Sequence, residues 1–190
     1  MNYVIEESLM KKIFLLLNTE GYFNSNIYNI NVLFEETDKF SIKIKRPEHN
    51  KREFIIKYPH ENIDRDFYKK LESYLKFEFN FDLWLYAYKN DLSTIGTYTL
   101  FSILHEFGHI IGYLDRINNG GDFINRDEMI ELSKYWEVSK IKNLHERFSA
   151  YRKIDNEYIA DNNALKIMKK YRNEFSLIIW YGKTISYYFS

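Results

Sequence analysis

Cysteine is absent from this 190-residue chain, which removes disulfides, thiolate metal ligands and cysteine nucleophiles together. A transition-metal site must therefore be built from His, Asp or Glu. The same absence suits a reducing compartment, so a cytoplasmic location is expected. Proline and glycine are scarce, at 2 and 7 residues, and no repeat or Pro/Gly/Ser-rich tract marks a linker. A chain of this length without such a seam is expected to form one domain, residues 1–190. Net charge is missing as well: 27 basic side chains balance 27 acidic ones, so no global field draws the chain toward nucleic acid or anionic lipid. Long apolar runs are also lacking. In "MNYVIEESLMKKIFLLLNTEG" the apolar run is only about six residues and follows acidic ones, which predicts a helix over about Val4 to Asn18, ended near Gly21, and no export signal. The closing "FSLIIWYGKTISYYFS" is interrupted by Gly182 and Lys183 and is shorter than the roughly 20 residues that span a bilayer. A buried helix over 174–189 is expected there, and no membrane span.

What is present changes character midway. "IYNINVLF" (27–34), "FSIKIK" (40–45) and "EFIIKY" (53–58) are short β-rich runs that predict an antiparallel meander. A helix over 64–76 and a strand over 77–88 follow, the latter with Phe77, Phe79, Phe81, Leu83 and Leu85 on one face. From Ser93 the period becomes helical. Helices are predicted over 94–112, over 126–152 with one break, and over 156–171, with Asn125 and Glu128 as a capping box and Gly120 and Gly121 in a loop. The fold class is therefore α+β: a small N-terminal antiparallel sheet with helices, then a mainly helical C-terminal half. The basic residues from Lys39 to Lys57 are expected on the solvated face of the meander, so no nucleic-acid partner is expected.

The chemistry concentrates in "TLFSILHEFGHIIGYLDRINNGG" (99–121), which holds two of the five histidines. Residues four apart on a helix are about 40° apart around the axis, so His105 and His109 can reach one point. Two imidazoles supply half of a tetrahedral zinc site, and Glu106 can stand beside the metal as a base for water. Leu100, Ile103, Leu104, Phe107 and Ile111 surround the triplet with apolar side chains, predicting a buried helix. Unpaired His and Glu inside such a helix would cost several kcal/mol, which a metal offsets. Two residues compete to complete the site. If Gly112 takes a left-handed turn, Asp115 can reach the metal, as in HExxHxxGxxD. Alternatively Glu157, in "DNEYIADNNALKIMKKY", ligates the metal while Asp161 accepts a hydrogen bond from a ligand histidine. Asp155 or Asn156 is the expected cap of that second helix.

"HEFGH" followed downstream by "EYIAD" resembles the HExxH…ExxxD pattern of gluzincin-type zincin metallopeptidases, and the Ala160 within it is similar to patterns of the M48-like and ImmA/IrrE-like peptidases. The resemblance implies a zincin-like fold and a Zn2+ cofactor held by His105, His109 and Glu157. It also implies Glu106 as general base, Asp161 behind a ligand histidine, and a peptide or protein substrate. It further makes 77–88 the candidate strand for pairing with an extended substrate. A metzincin-like site with Asp115 would also need a methionine turn, for which Met129 is placed in a helical pattern. Tyr151, Arg152, Tyr158 and His145 are the candidates for stabilising an oxyanion. The alternative to an enzyme is a module that zinc merely staples, or one that binds peptide without cutting it.

Overall fold

The computed structural model describes residues 7–25, 28–37, 41–44, 51–59, 94–120 and 126–175. The expected helix over 64–76, the strand over 77–88, the capping residue Asn125 and all of the final helix beyond Phe175 lie outside these residues. Among these residues the chain mixes helix and strand, with helices alone from Thr94 onward. In chain order the elements are α1 (Glu7–Thr19), β1 (Asn29–Thr37), β2 (Ser41–Ile44), β3 (Lys51–Pro59), α2 (Thr94–Asn118), α3 (Arg126–Ser139), α4 (Leu144–Arg152) and α5 (Asp155–Lys170).

The sheet corrects the expected meander. Its order is β1-β3-β2, with β1 parallel to β3 and β2 antiparallel to β3. The cause is legible in burial: Phe54, Ile55 and Ile56 are buried consecutively on β3, whereas on β1 only Val32 is buried. A strand buried on both faces belongs in the middle of a sheet, and an alternating one belongs at its side. The apolar run "FII" therefore places β3 between its two predecessors.

α1 turns Met10, Ile13 and Leu17 into the core, one helical face at spacings of three and four. It ends as predicted, at Gly21, whose φ of 80° lets the Tyr22 and Gly21 amides bond the carbonyls of Leu17 and Asn18. α2 is the central element. Ile103, Leu104, Phe107 and Ile110 are fully buried, and Phe107 joins Phe14, Phe23 and Phe34 in an aromatic cluster with centroids 6.5, 5.8 and 6.3 Å from its own. Tyr113 of α2 meets Phe54 of β3 edge-on at 5.4 Å.

α2 does not stop at Gly112. It continues to Asn118 and closes at Gly120, whose φ is 77° and whose amide bonds the Ile117 carbonyl. Gly112 is needed for space and not for a turn. A Cβ there would lie 2.7 Å from Ile159 Cγ2, and one at Gly108 only 2.5 Å from the carbonyl oxygen of Ala160. Small residues on α5 answer them, since Ala160 and Ala164 are fully buried. Both helices thus repeat one pattern, polar at the first and fifth positions and small at the fourth and eighth: His105, Gly108, His109, Gly112 against Glu157, Ala160, Asp161, Ala164. Asn163 adds a bridge by donating to the Gly108 carbonyl at 3.2 Å.

Between them, α3 and α4 realise the single break expected within 126–152. Met129 lies within α3, so it forms no turn beneath the site. The start of α5 departs from expectation: Ile154 is the cap, in extended conformation and without a side-chain cap bond, while Asp155 opens the helix and pairs with Lys134 of α3 at 2.7 Å. Buried Ile154 fixes this entry by packing instead. No helix among the described residues is long and apolar enough to cross a membrane.

Candidate metal centre

The close approach of α2 and α5 brings His105, His109 and Glu157 together, with one ligating atom from each within 4.8 Å of the others. His105 Nε2 lies 3.1 Å from His109 Nε2 and 3.2 Å from Glu157 Oε2, and His109 Nε2 lies 3.7 Å from Glu157 Oε1. For a tetrahedral zinc with bonds of about 2.0–2.1 Å, ligand atoms sit about 3.3 Å apart. The three separations bracket that value.

Asp161 determines which histidine nitrogen is free. Its Oδ1 lies 2.8 Å from His105 Nδ1, and an ionised carboxylate only accepts, so Nδ1 carries the hydrogen. The neutral ring then turns a lone pair at Nε2 toward His109 and Glu157. Glu157 Oε2 is shielded from solvent and accepts no aligned hydrogen bond despite its nearness to that nitrogen. Two imidazole nitrogens and an orphaned carboxylate oxygen facing one point call for a cation between them. The donor set, two nitrogens and one oxygen without sulfur, fits zinc with one coordination position left over.

Without a metal, a proton supplies that cation. Burial opposes charge on His105, but the hydrogen bond to Asp161 and the nearby Glu157 carboxylate prevail and raise its pKa to about 9. Burial and the neighbouring His105 charge lower His109 to about 4. Burial likewise opposes ionisation of Glu157, yet both nearby imidazoles and the Tyr135 hydroxyl hold it at about 2. Glu106 is buried beside the cluster, and that burial raises its pKa to about 7, the range in which a carboxylate exchanges protons near neutrality.

Residues from α3 and α4 complete the surroundings. The Tyr135 hydroxyl donates to Glu157 Oε1 at 2.8 Å, leaving Oε2 to face the histidines. Arg152 Nη1 donates to Asp161 Oδ1 at 2.7 Å. Tyr151 packs against the Tyr135 ring at 5.6 Å, and burial together with the Glu157 carboxylate pushes its phenol pKa up. Of the other oxyanion candidates, Tyr158 is exposed and the His145 side chain lies outside the described residues. Asp115 is exposed on the continuing helix, and the cluster does not include it. Tyr135 was not visible in the sequence, because it meets Glu157 only through the packing of α3 on α5. The chain matches no family model, no curated protein and no solved structure.

Proposed function

We propose that this chain is a zinc-dependent metallopeptidase of the gluzincin type, with His105, His109 and Glu157 as ligands and Glu106 as general base. The convergence of both histidine Nε2 atoms on the Glu157 carboxylate carries this reading. A zinc ion at that point supplies a Lewis acid that acidifies a water toward a pKa of about 7 and polarises a scissile carbonyl.

The chain's own groups divide the remaining work. Glu106 takes a proton from the attacking water and delivers it to the departing amine, a shuttle suited to its raised pKa of about 7. Asp161 holds the His105 tautomer, and Tyr135 keeps Glu157 Oε1 occupied. Tyr151 feels the charges of both Glu157 and Glu106, and its raised pKa keeps the phenol protonated as a donor toward the oxyanion.

The test is peptide-library cleavage read by mass spectrometry, with bound zinc measured on the same samples. Wild type should cleave, while Glu106→Gln should keep its zinc and lose cleavage by about 100-fold or more. A wild type that binds zinc but cuts nothing would leave a zinc-stapled, non-catalytic module in place of the enzyme.

A further inference from the structure

We propose that Arg152 is a positioning residue of the metal centre: its guanidinium pins the Asp161 carboxylate, which in turn aims His105. The role rests on the ligand set proposed above. Asp161 is fully buried, and a single oxygen, Oδ1, receives both His105 Nδ1 at 2.8 Å and Arg152 Nη1 at 2.7 Å. Oδ2 is shielded from solvent and has no hydrogen-bond partner among the described residues. A carboxylate held by one donor can rotate and exchange its oxygens. Two donors arriving from different helices, α2 and α4, leave it one orientation.

The local chain explains why Arg152 stays in place. It is the last residue of α4, and the following turn is closed by the Lys153 and Ile154 amides bonding the carbonyls of Ala150 and Tyr151. Buried Ile154 then anchors the entry to α5, the helix that carries Asp161. Arg152 Nη1 lies 3.4 Å from His105 Nδ1; both are donors, so the contact has meaning only through the oxygen they share. The guanidinium also places a positive charge against a fully buried carboxylate. Arg152 thus acts on the metal through two other residues, not by touching it.

Chelator competition for zinc, together with the visible spectrum of the cobalt(II)-substituted protein, tests this role in wild type, Arg152→Gln and Arg152→Lys. Arg152→Gln should weaken zinc binding by about 10–100-fold and change the cobalt spectrum, whereas Arg152→Lys, which keeps one charged donor, should recover most of both. Lys134→Gln, which breaks the exposed pair with Asp155, should change neither. Wild-type affinity and an unaltered cobalt spectrum in Arg152→Gln would overturn the role, even if cleavage falls. Should Arg152→Gln not fold, the folded Arg152→Lys protein decides: near-wild-type binding supports the role, and a loss as deep as that in Asp161→Ala overturns it. A wild type that takes up no zinc would instead overturn the ligand assignment beneath it.

Discussion

The two faces of α2 are built on opposite rules. Toward α1 and the sheet it presents large side chains, Ile103, Leu104, Phe107 and Ile110, all fully buried, each contributing roughly 1.5–3 kcal/mol. Toward α5 it presents glycines and histidines, and the buried groups there include His105, Glu106, Glu157 and Asp161. Buried charge of this kind costs several kcal/mol per ion before pairing. One face therefore supplies stability and the other spends it on geometry. The five residues of "HEFGH" serve both, because Phe107 points away from the side that His105 and His109 share.

Truncating the stabilising face should give the largest effect. Phe107→Ala removes the centre of the aromatic cluster and should lower stability by about 3–5 kcal/mol, measured by chemical denaturation. Because the proposed ligands lie on the opposite face, zinc affinity of the protein still folded should change by less than about tenfold, a smaller effect than the fall in stability. A collapse of zinc affinity matching the stability loss would show that the faces are not separable.

Gly108→Ala breaks the other face. Its Cβ would meet the Ala160 carbonyl oxygen at 2.5 Å, and a backbone atom cannot swing aside, so the helices must part. Overpacking of about 1–3 kcal/mol is expected, with zinc affinity falling more than in Phe107→Ala. Gly112→Ala meets a side-chain methyl at 2.7 Å instead, which can give way, so its effect should be milder. Equal effects from the two glycines would contradict the ordering.

Changing pH sharpens the comparison without mutation. Metal-free His105 has a pKa raised from 6.5 to about 9. A raised folded pKa contributes stability that is fully present below the unfolded pKa and lost as pH rises through the folded one. The metal-free protein should therefore lose stability between pH 6.5 and 9, on the order of 1–3 kcal/mol. Zinc at the proposed site would displace that proton, so the loaded protein should lack the alkaline decline, and binding at pH 7.5 should release about one proton, readable by calorimetry in buffers of different ionisation enthalpy. Zinc binding without proton release would contradict a protonated His105 in the metal-free protein.

The smallest change is Tyr135→Phe. It removes one donor from Glu157 Oε1 and should weaken zinc binding by about tenfold with little change in stability. No change in affinity would mean that packing alone orients Glu157.

These contrasts also explain what could be read from the residues. His105, Glu106, His109, Glu157 and Asp161 were legible because helical spacing is local and links each pair on its own helix. The purpose of Gly112 was not: a glycine near a helix end suggests a turn, and only Ile159, distant in sequence, shows that it makes room. With that, the case for bringing Asp115 back into the site disappears, since the helix runs on to Asn118. The sheet failed for a related reason. Each strand was recognisable by itself, but pairing is non-local, and the consecutive burial of Phe54, Ile55 and Ile56 was the cue to a central strand. Arg152 is one of four candidates for an oxyanion from its place beside the second motif, and no local pattern shows that it donates to Asp161.

The most direct measurement is zinc stoichiometry by equilibrium dialysis and elemental analysis of wild type, Glu157→Ala and Asp115→Ala, with folding monitored by circular dichroism. One ion per chain in wild type and Asp115→Ala, with loss of the ion in folded Glu157→Ala, is the predicted result. Full occupancy in Glu157→Ala with loss in Asp115→Ala would contradict the proposed ligand set.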